Sequence, residues 1–156
     1  MENTVKINLE NLKGLSHMDR CHLANGFETS SYELDMLVDL LDEKEDSDNF
    51  LKNAIARNEN TSAETLEKLL KINTSYEIPL AIANHRNASA EILDELSTYT
   101  KTEYIDAWTC SIIRHNVAQN KNTSSETLDK LSKDEIPMVR EYVARNENTT
   151  AETLDR

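Results

Sequence analysis

The chain carries two cysteines and four histidines, and some of them have spacings that could do chemistry. His17, Cys21 and His22 stand at i, i+4 and i+5, so on a helix two of the three could face one metal ion. A zinc site needs four ligands or three and a water, and no further ligand stands nearby, so ordinary core or surface placement is expected. Cys110 with His115 or His85 would make a thiolate activated by imidazole. Cys110, however, lies in the apolar run from Ile105 to Ile113, with no strained turn for the thiol and nothing to orient either imidazole; a buried, inert cysteine is expected. The acidic run Asp42-Glu43-Lys44-Glu45-Asp46-Ser47-Asp48 lacks the turn glycine and closing glutamate of a calcium loop, and reads as a solvated connection in which Ser47 caps the next helix. No catalytic residue, metal site or cofactor is assigned, and the chain is read as not being an enzyme.

The elements that position these side chains follow from a phrase that returns: NENTSAETL at Asn58 to Leu66, NKNTSSETL at Asn120 to Leu128, NENTTAETL at Asn146 to Leu154, and HRNASAEIL at His85 to Leu93. Aligned on Thr29, Thr61, Ala88, Thr123 and Thr149, the copies are 32, 27, 35 and 26 residues apart, a unit of about 26 residues with insertions. A unit this short cannot bury its own apolar face and must stack on neighbours. Thr61 with Glu64, Thr123 with Glu126, and Thr149 with Glu152 fit capping boxes that start helices. Leu66 and Leu69, Leu93 and Leu96, and Leu128 and Leu131 then form i, i+3 packing stripes. Ahead of each box stands a second apolar segment ending in a small Ala56, Ala83, Ala118 or Ala144, and the Asn-x-Asn-Thr connection ends one helix and begins the next. Pro79 and Pro137 suit first helical turns, and a short or 3₁₀-like helix is expected after Pro79.

The expected fold is therefore all-α, a right-handed α-solenoid of short helix–turn–helix repeats in a single domain over 1–156. Residues 1–28 form an N-terminal cap and 29–156 the repeats, with insertions near 42–48 and 97–112 and an incomplete last repeat. In the N-terminal unit Thr29-Ser30-Ser31-Tyr32 breaks the box, and Ser30 with Glu33 restores it one residue later. The motif V/I-A-x-N-x-N-T-x-x-E-T-L-x-x-L, best matched at Ile55 to Leu69 and Val117 to Leu131, resembles the variant leucine-rich repeat family of HEAT-like α-solenoids. That resemblance covers roughly Ala54 to Arg156 and implies α-helices alternating with short, often 3₁₀, helices in a superhelix used for protein contacts. Some members carry an iron–sulfur cluster ahead of the repeats; two cysteines cannot supply its four thiolates, so no such role carries over.

A net charge of −12 repels a phosphate backbone, so direct nucleic-acid binding and a glycosylase-type activity are not expected. No stretch suits a membrane span and no signal peptide opens the chain, which points to a cytoplasmic protein with reduced thiols. The expected function is a noncatalytic scaffold that binds a protein partner; the alternative is an acidic mimic of nucleic acid, of phage or mobile-element type, that blocks a basic groove of a nuclease or defence enzyme. Core packing is favoured for Trp108 and Tyr104, which if exposed would anchor a partner, with Arg57, Arg86, Arg114, Arg140 and Arg145 as basic contacts beside the turns. The unfinished last repeat offers an end for a homo-oligomer or a longer array.

Overall fold

The computed structural model describes residues 8–41, 49–73, 75–100 and 106–155. The acidic run at 42–48, Tyr104 and Arg156 lie outside the described residues. Contacts divide the chain into two compact units, 1–74 and 75–156. Among the described residues every element is an α-helix: α1 (Leu9–Lys13), α2 (His17–Ala24), α3 (Ser31–Asp39), α4 (Asn49–Arg57) and α5 (Ala63–Lys71) in the first unit, and α6 (Glu77–Ala83), α7 (Ala90–Ser97), α8 (Ala107–Gln119), α9 (Ser125–Leu131), α10 (Pro137–Arg145) and α11 (Ala151–Leu154) in the second.

The helices pair as the returning phrase requires. In the first unit α2 leads through a turn to α3, and α4 to α5; α2 packs on α4, and α3 on α5. In the second unit α8 packs between α6 and α10, and α7 on α9, so leading and following helices form two layers. The leucine stripes are the reason: Leu66, Leu69, Leu93, Leu96, Leu128 and Leu131 are all buried, and Ala56, Ala83 and Ala118 are sealed where neighbouring backbones approach. Within residues 1–28, α2 is itself the leading helix of the first pair; Ser16 caps it by accepting from the Asp19 amide, and it ends at Asn25. Part of the 97–112 insertion lengthens α8 to 13 residues.

Two expectations are corrected. No 3₁₀ helix occurs among the described residues: α6 is a seven-residue α-helix with Pro79 in its first turn, and the leading helices are not systematically the shorter ones. The helix caps also lie one residue later than the Thr-x-x-Glu boxes place them. Ser62, Ser124 and Thr150 are the N-caps, each accepting from the amide three residues on, at Thr65, Thr127 and Thr153. Thr61, Thr123 and Thr149 turn backwards instead, and donate their hydroxyls to the carbonyls of Ile55 (2.6 Å), Val117 (2.5 Å) and Val143 (2.5 Å) on the preceding helices. A hydroxyl spent on the helix behind cannot cap the helix ahead. Glu64, Glu126 and Glu152 therefore sit at the second helical position, where the exposed amide ends favour an anion. Glu126 is held below the usual carboxylate range by its own backbone amide and by the Ser124 hydroxyl. Among the described residues both bonds of a capping box form at Ser30 with Glu33 and at Asn8 with Asn11, and the N-terminal register read as an exception is the rule for the repeats.

The asparagines tie successive turns together. Asn58 Nδ2 donates to the carbonyls of Ala24 (2.7 Å) and Gly26 (2.9 Å), and Asn60 Nδ2 to those of Phe27 (3.0 Å) and Thr29 (2.9 Å). Asn120 and Asn122 bond likewise to Ala83, His85, Arg86 and Ala88, and Asn146 and Asn148 to Ala118, Asn120, Lys121 and Thr123. Each first asparagine also accepts from the amide of the second, as at Asn60 (2.9 Å) and Asn122 (3.0 Å). In the third turn buried His85 takes the asparagine's place, its Nδ1 accepting from the Asn87 amide at 3.0 Å. A second set of links joins the following helices: Thr65 and Lys68 both reach Asp35, Thr127 and Lys130 reach Asp94, and Thr153 reaches Asp129.

Candidate partner-binding surface

The residues singled out for binding divide by location. Arg114 is committed to the fold: Nε and Nη2 grip the Asp134 carboxylate at 2.6 and 3.2 Å, and Nη1 donates to the Tyr99 carbonyl at 2.8 Å. Both partners are nearly buried, and the bond to Asp134 pushes the guanidinium pKa above its ordinary value. Arg114, singled out as a basic contact, thus ties α8 to the segment around Asp134 within the second unit. Arg140 Nη1 likewise donates to the carbonyls of Asp134 and Glu135. Arg145 is exposed, pairs with Glu141 and lies 5.6 Å over the Tyr142 ring.

Trp108 is not core: 66% of it is exposed, in the first turn of α8 behind the N-cap Asp106. Arg86 sits in a turn and Trp108 eleven residues before Gln119, so at 1.5 Å per residue the indole lies about 16 Å down the helix from the turn that follows α8. The sequence-selected residues of the second unit do not form one patch.

The first unit gathers what they do not. A hollow of about 420 Å³ lies between its two turns, lined by Ala24, Gly26, Phe27, Ala54, Arg57 and Asn60 among others. Phe27 stands 93% exposed at its edge. Its main chain is nevertheless fixed, because Asn58 and Asn60 bond to the carbonyls of Gly26 and Phe27 on either side. Gly26 fits this tight turn closely: an added Cβ would lie 2.8 Å from Thr29 Oγ1 and 3.1 Å from the Leu23 carbonyl. Arg57, exposed at the end of α4, is steadied by Nε donating to Asn53 Oδ1 at 2.9 Å, which points to Nη1 and Nη2 as the groups for a carboxylate. The floor contributed by Ala24 and Ala54 is apolar and buried. Sequence reasoning missed Phe27; the signal was a bulky aromatic in the middle position of a turn that is otherwise polar.

The spacings that suggested chemistry are resolved in place. Cys110 is buried in α8 and its thiol pKa is pushed up by burial, the opposite of an activated nucleophile. His115 stacks on Tyr142 with ring centroids 4.0 Å apart, and burial lowers its pKa. Cys21 Sγ lies 3.5 Å from His17 Nε2, a pair along one helix, while His22 is exposed. Among the described residues no three of His, Cys, Asp and Glu gather as metal ligands, and no helix is long and apolar enough to cross a membrane. No family model, curated protein or solved structure matches the chain.

Proposed function

We propose that the protein is a noncatalytic helical-repeat scaffold whose first unit binds a protein partner at the Phe27–Arg57 hollow. One observation carries this reading: a phenylalanine 93% exposed on a main chain already clamped by two asparagines. An aromatic held rigid before binding loses little entropy on contact, and aromatics and arginines dominate interface energetics. The partner's matching groups are an apolar side chain for Phe27 and a carboxylate for Arg57. Kinship with variant leucine-rich repeats, an α-solenoid stacking within each unit, and a cytoplasmic setting belong to the same proposal. The Asn-x-Asn turns support the stacking, and Cys21 and Cys110, buried as thiols, support the setting.

The acidic-mimic alternative is favoured less, because several carboxylates are engaged internally: Asp35 and Asp39 with Lys68, Asp94 with Lys130, and Asp134 with Arg114. The test places a photocrosslinking phenylalanine analogue at Phe27 in the full chain, identifies the crosslinked protein, and measures its affinity for variants. Phe27→Ala should weaken binding about 30-fold, roughly 2 kcal/mol, and Arg57→Ala about 10-fold, with thermal unfolding unchanged. Unaltered affinity in both variants would refute the site; a crosslinked basic nuclease that ignores them but yields to carboxylate neutralisation would favour the mimic.

A further inference from the structure

The hollow between the first two turns is built unlike its counterpart in the second unit. Between the turns that follow α6 and α8 the corresponding space, about 300 Å³, is lined by Asn84, Arg86, Gln119, Asn120, Lys121 and Asn122, all polar. Between the turns that follow α2 and α4 the floor is the buried Ala24 and Ala54, and Phe27 stands at the edge. The charged lining there is one cation, Arg57, and one carboxylate, Glu59. A lone cation beside a carboxylate suits a ligand that brings a single negative charge and selects against an acidic stretch.

The spacing inside the hollow decides where that charge sits on the ligand. Ala54 and Arg57 are three residues apart on α4, about 4.5 Å along its axis. Arg57 Nε donates to Asn53 Oδ1 at 2.9 Å, one turn back, which keeps the guanidinium beside the Ala54 turn with Nη1 and Nη2 for a carboxylate. In an extended segment adjacent side chains point to opposite faces and those on one face stand about 6.7 Å apart, so an internal acidic residue holds its carboxylate a full step away from the nearest apolar side chain on its face. The last residue of a chain carries both groups on one Cα. Asn25 supplies a further contact: its Nδ2 donates to the Cys21 carbonyl at 2.8 Å, which leaves Oδ1 as an acceptor for the N–H of that last residue. Taking the Phe27–Arg57 surface as the binding site, we propose that it captures the free C-terminus of a partner chain whose last side chain is apolar. The α-carboxylate lies on Arg57, the side chain on Ala24 and Ala54 against Phe27, and the preceding residues run past the edge.

The probe is a library of short random peptides, presented to the immobilised full chain with free C-termini and, separately, as C-terminal amides. Free acids ending in leucine, isoleucine, valine or phenylalanine should be enriched and the amides should not; no enrichment in either form overturns the proposal. For an enriched peptide the acid should bind about 10-fold more tightly than its amide, Arg57→Gln should abolish that difference at an unchanged thermal midpoint, and Arg57→Lys should restore part of it. Phe27→Ala should weaken acid and amide by the same factor. Acid and amide that bind alike, with Phe27→Ala still weakening both, overturn the C-terminal capture and leave the Phe27 surface standing, whereas Phe27→Ala without effect overturns both. N-acetylleucine that competes as well as the whole peptide would assign the hollow to a small carboxylate and overturn the partner chain.

Discussion

Replacing Asn120 tests whether the turns are held by side-chain carboxamides or merely decorated by them. Its Nδ2 donates to the carbonyls of Ala83 and His85, both at 3.0 Å, and its Oδ1 accepts from the Asn122 amide at 3.0 Å. Asn120→Ala removes three bonds worth about 1 kcal/mol each; because the turn edge is half-exposed, water recovers part, leaving a loss of about 1.5 to 3 kcal/mol. For a chain of this size that lowers the thermal midpoint by about 4 to 10 °C. Asn120→Asp is the sharper probe. It keeps the acceptor for the Asn122 amide but sets a carboxylate against two carbonyl oxygens, so at pH 7 it should cost at least as much as alanine. Those oxygens raise the folded-state pKa of the new acid above its unfolded value of about 3.9. The neutral acid is then favoured by folding, and the deficit relative to the parent is full above the folded pKa and shrinks as pH falls towards the unfolded one. The assay is thermal unfolding by far-ultraviolet circular dichroism at several pH values, with hydrogen exchange of the Asn122 amide, which should stay protected in the aspartate variant and not in the alanine one. An aspartate variant that melts within about 1 °C of the parent at pH 7 would refute the clamp.

The cap register and the acid response can be tested on the same second unit. Ser124→Ala should cost about 1 kcal/mol as a lost N-cap and Thr123→Val about 1 kcal/mol as a lost bond to the Val117 carbonyl; a neutral Ser124→Ala in urea titrations would restore the Thr123–Glu126 box. Burial lowers the His115 pKa, so the unfolded state takes up that proton first and stability should decline as pH falls below about 6.5. Asp94, lowered by its bonds to Lys130 and then Thr127, and Glu91, Asp106 and Glu126, lowered by backbone amides, lose their contribution further down, below about pH 4. His115→Gln should remove only the first decline, and a parent midpoint unchanged between pH 7 and 5 would count against it.

The helical class, the paired elements and the leucine core were legible because each rests on local spacing: the i, i+3 leucines are buried as read, and the Asn-Thr phrase marks each turn between them. The caps were misread because Thr and Ser are both good N-caps and stand side by side; only the fold shows that the threonine hydroxyl is already bonded six residues back. The asparagines were read as local turn formers, yet their amides reach carbonyls 25 to 37 residues away, which no local pattern reports. Lys52 shows the same limit. An ordinary lysine in sequence, it is 1% exposed, with Nζ 3.4 Å from the carbonyl of Ile72 at the end of α5, where helix carbonyls attract a cation. Trp108 failed in the other direction, since its bulk suggested core and its first-turn position left it outside.

The turn ladder also separates what fixes shape from what can vary. In the turns the asparagine amides hold main-chain carbonyls, and the middle residues Phe27, Arg86 and Lys121 accept from them through the backbone. That middle position is Phe27, Glu59, Arg86, Lys121 and Glu147 in the five turns, exposed in every case. At Phe27 and Lys121 the ladder bond falls on the main-chain carbonyl, so exchanging the side chain leaves that bond in place and changes the surface chemistry of the turn edge. The one aromatic among the five stands on the turn that lacks both asparagines of its own and is held by the asparagines of its neighbour, Asn58 and Asn60. Loosening Asn60 should therefore weaken binding at Phe27 through the order of its backbone, without touching the aromatic itself.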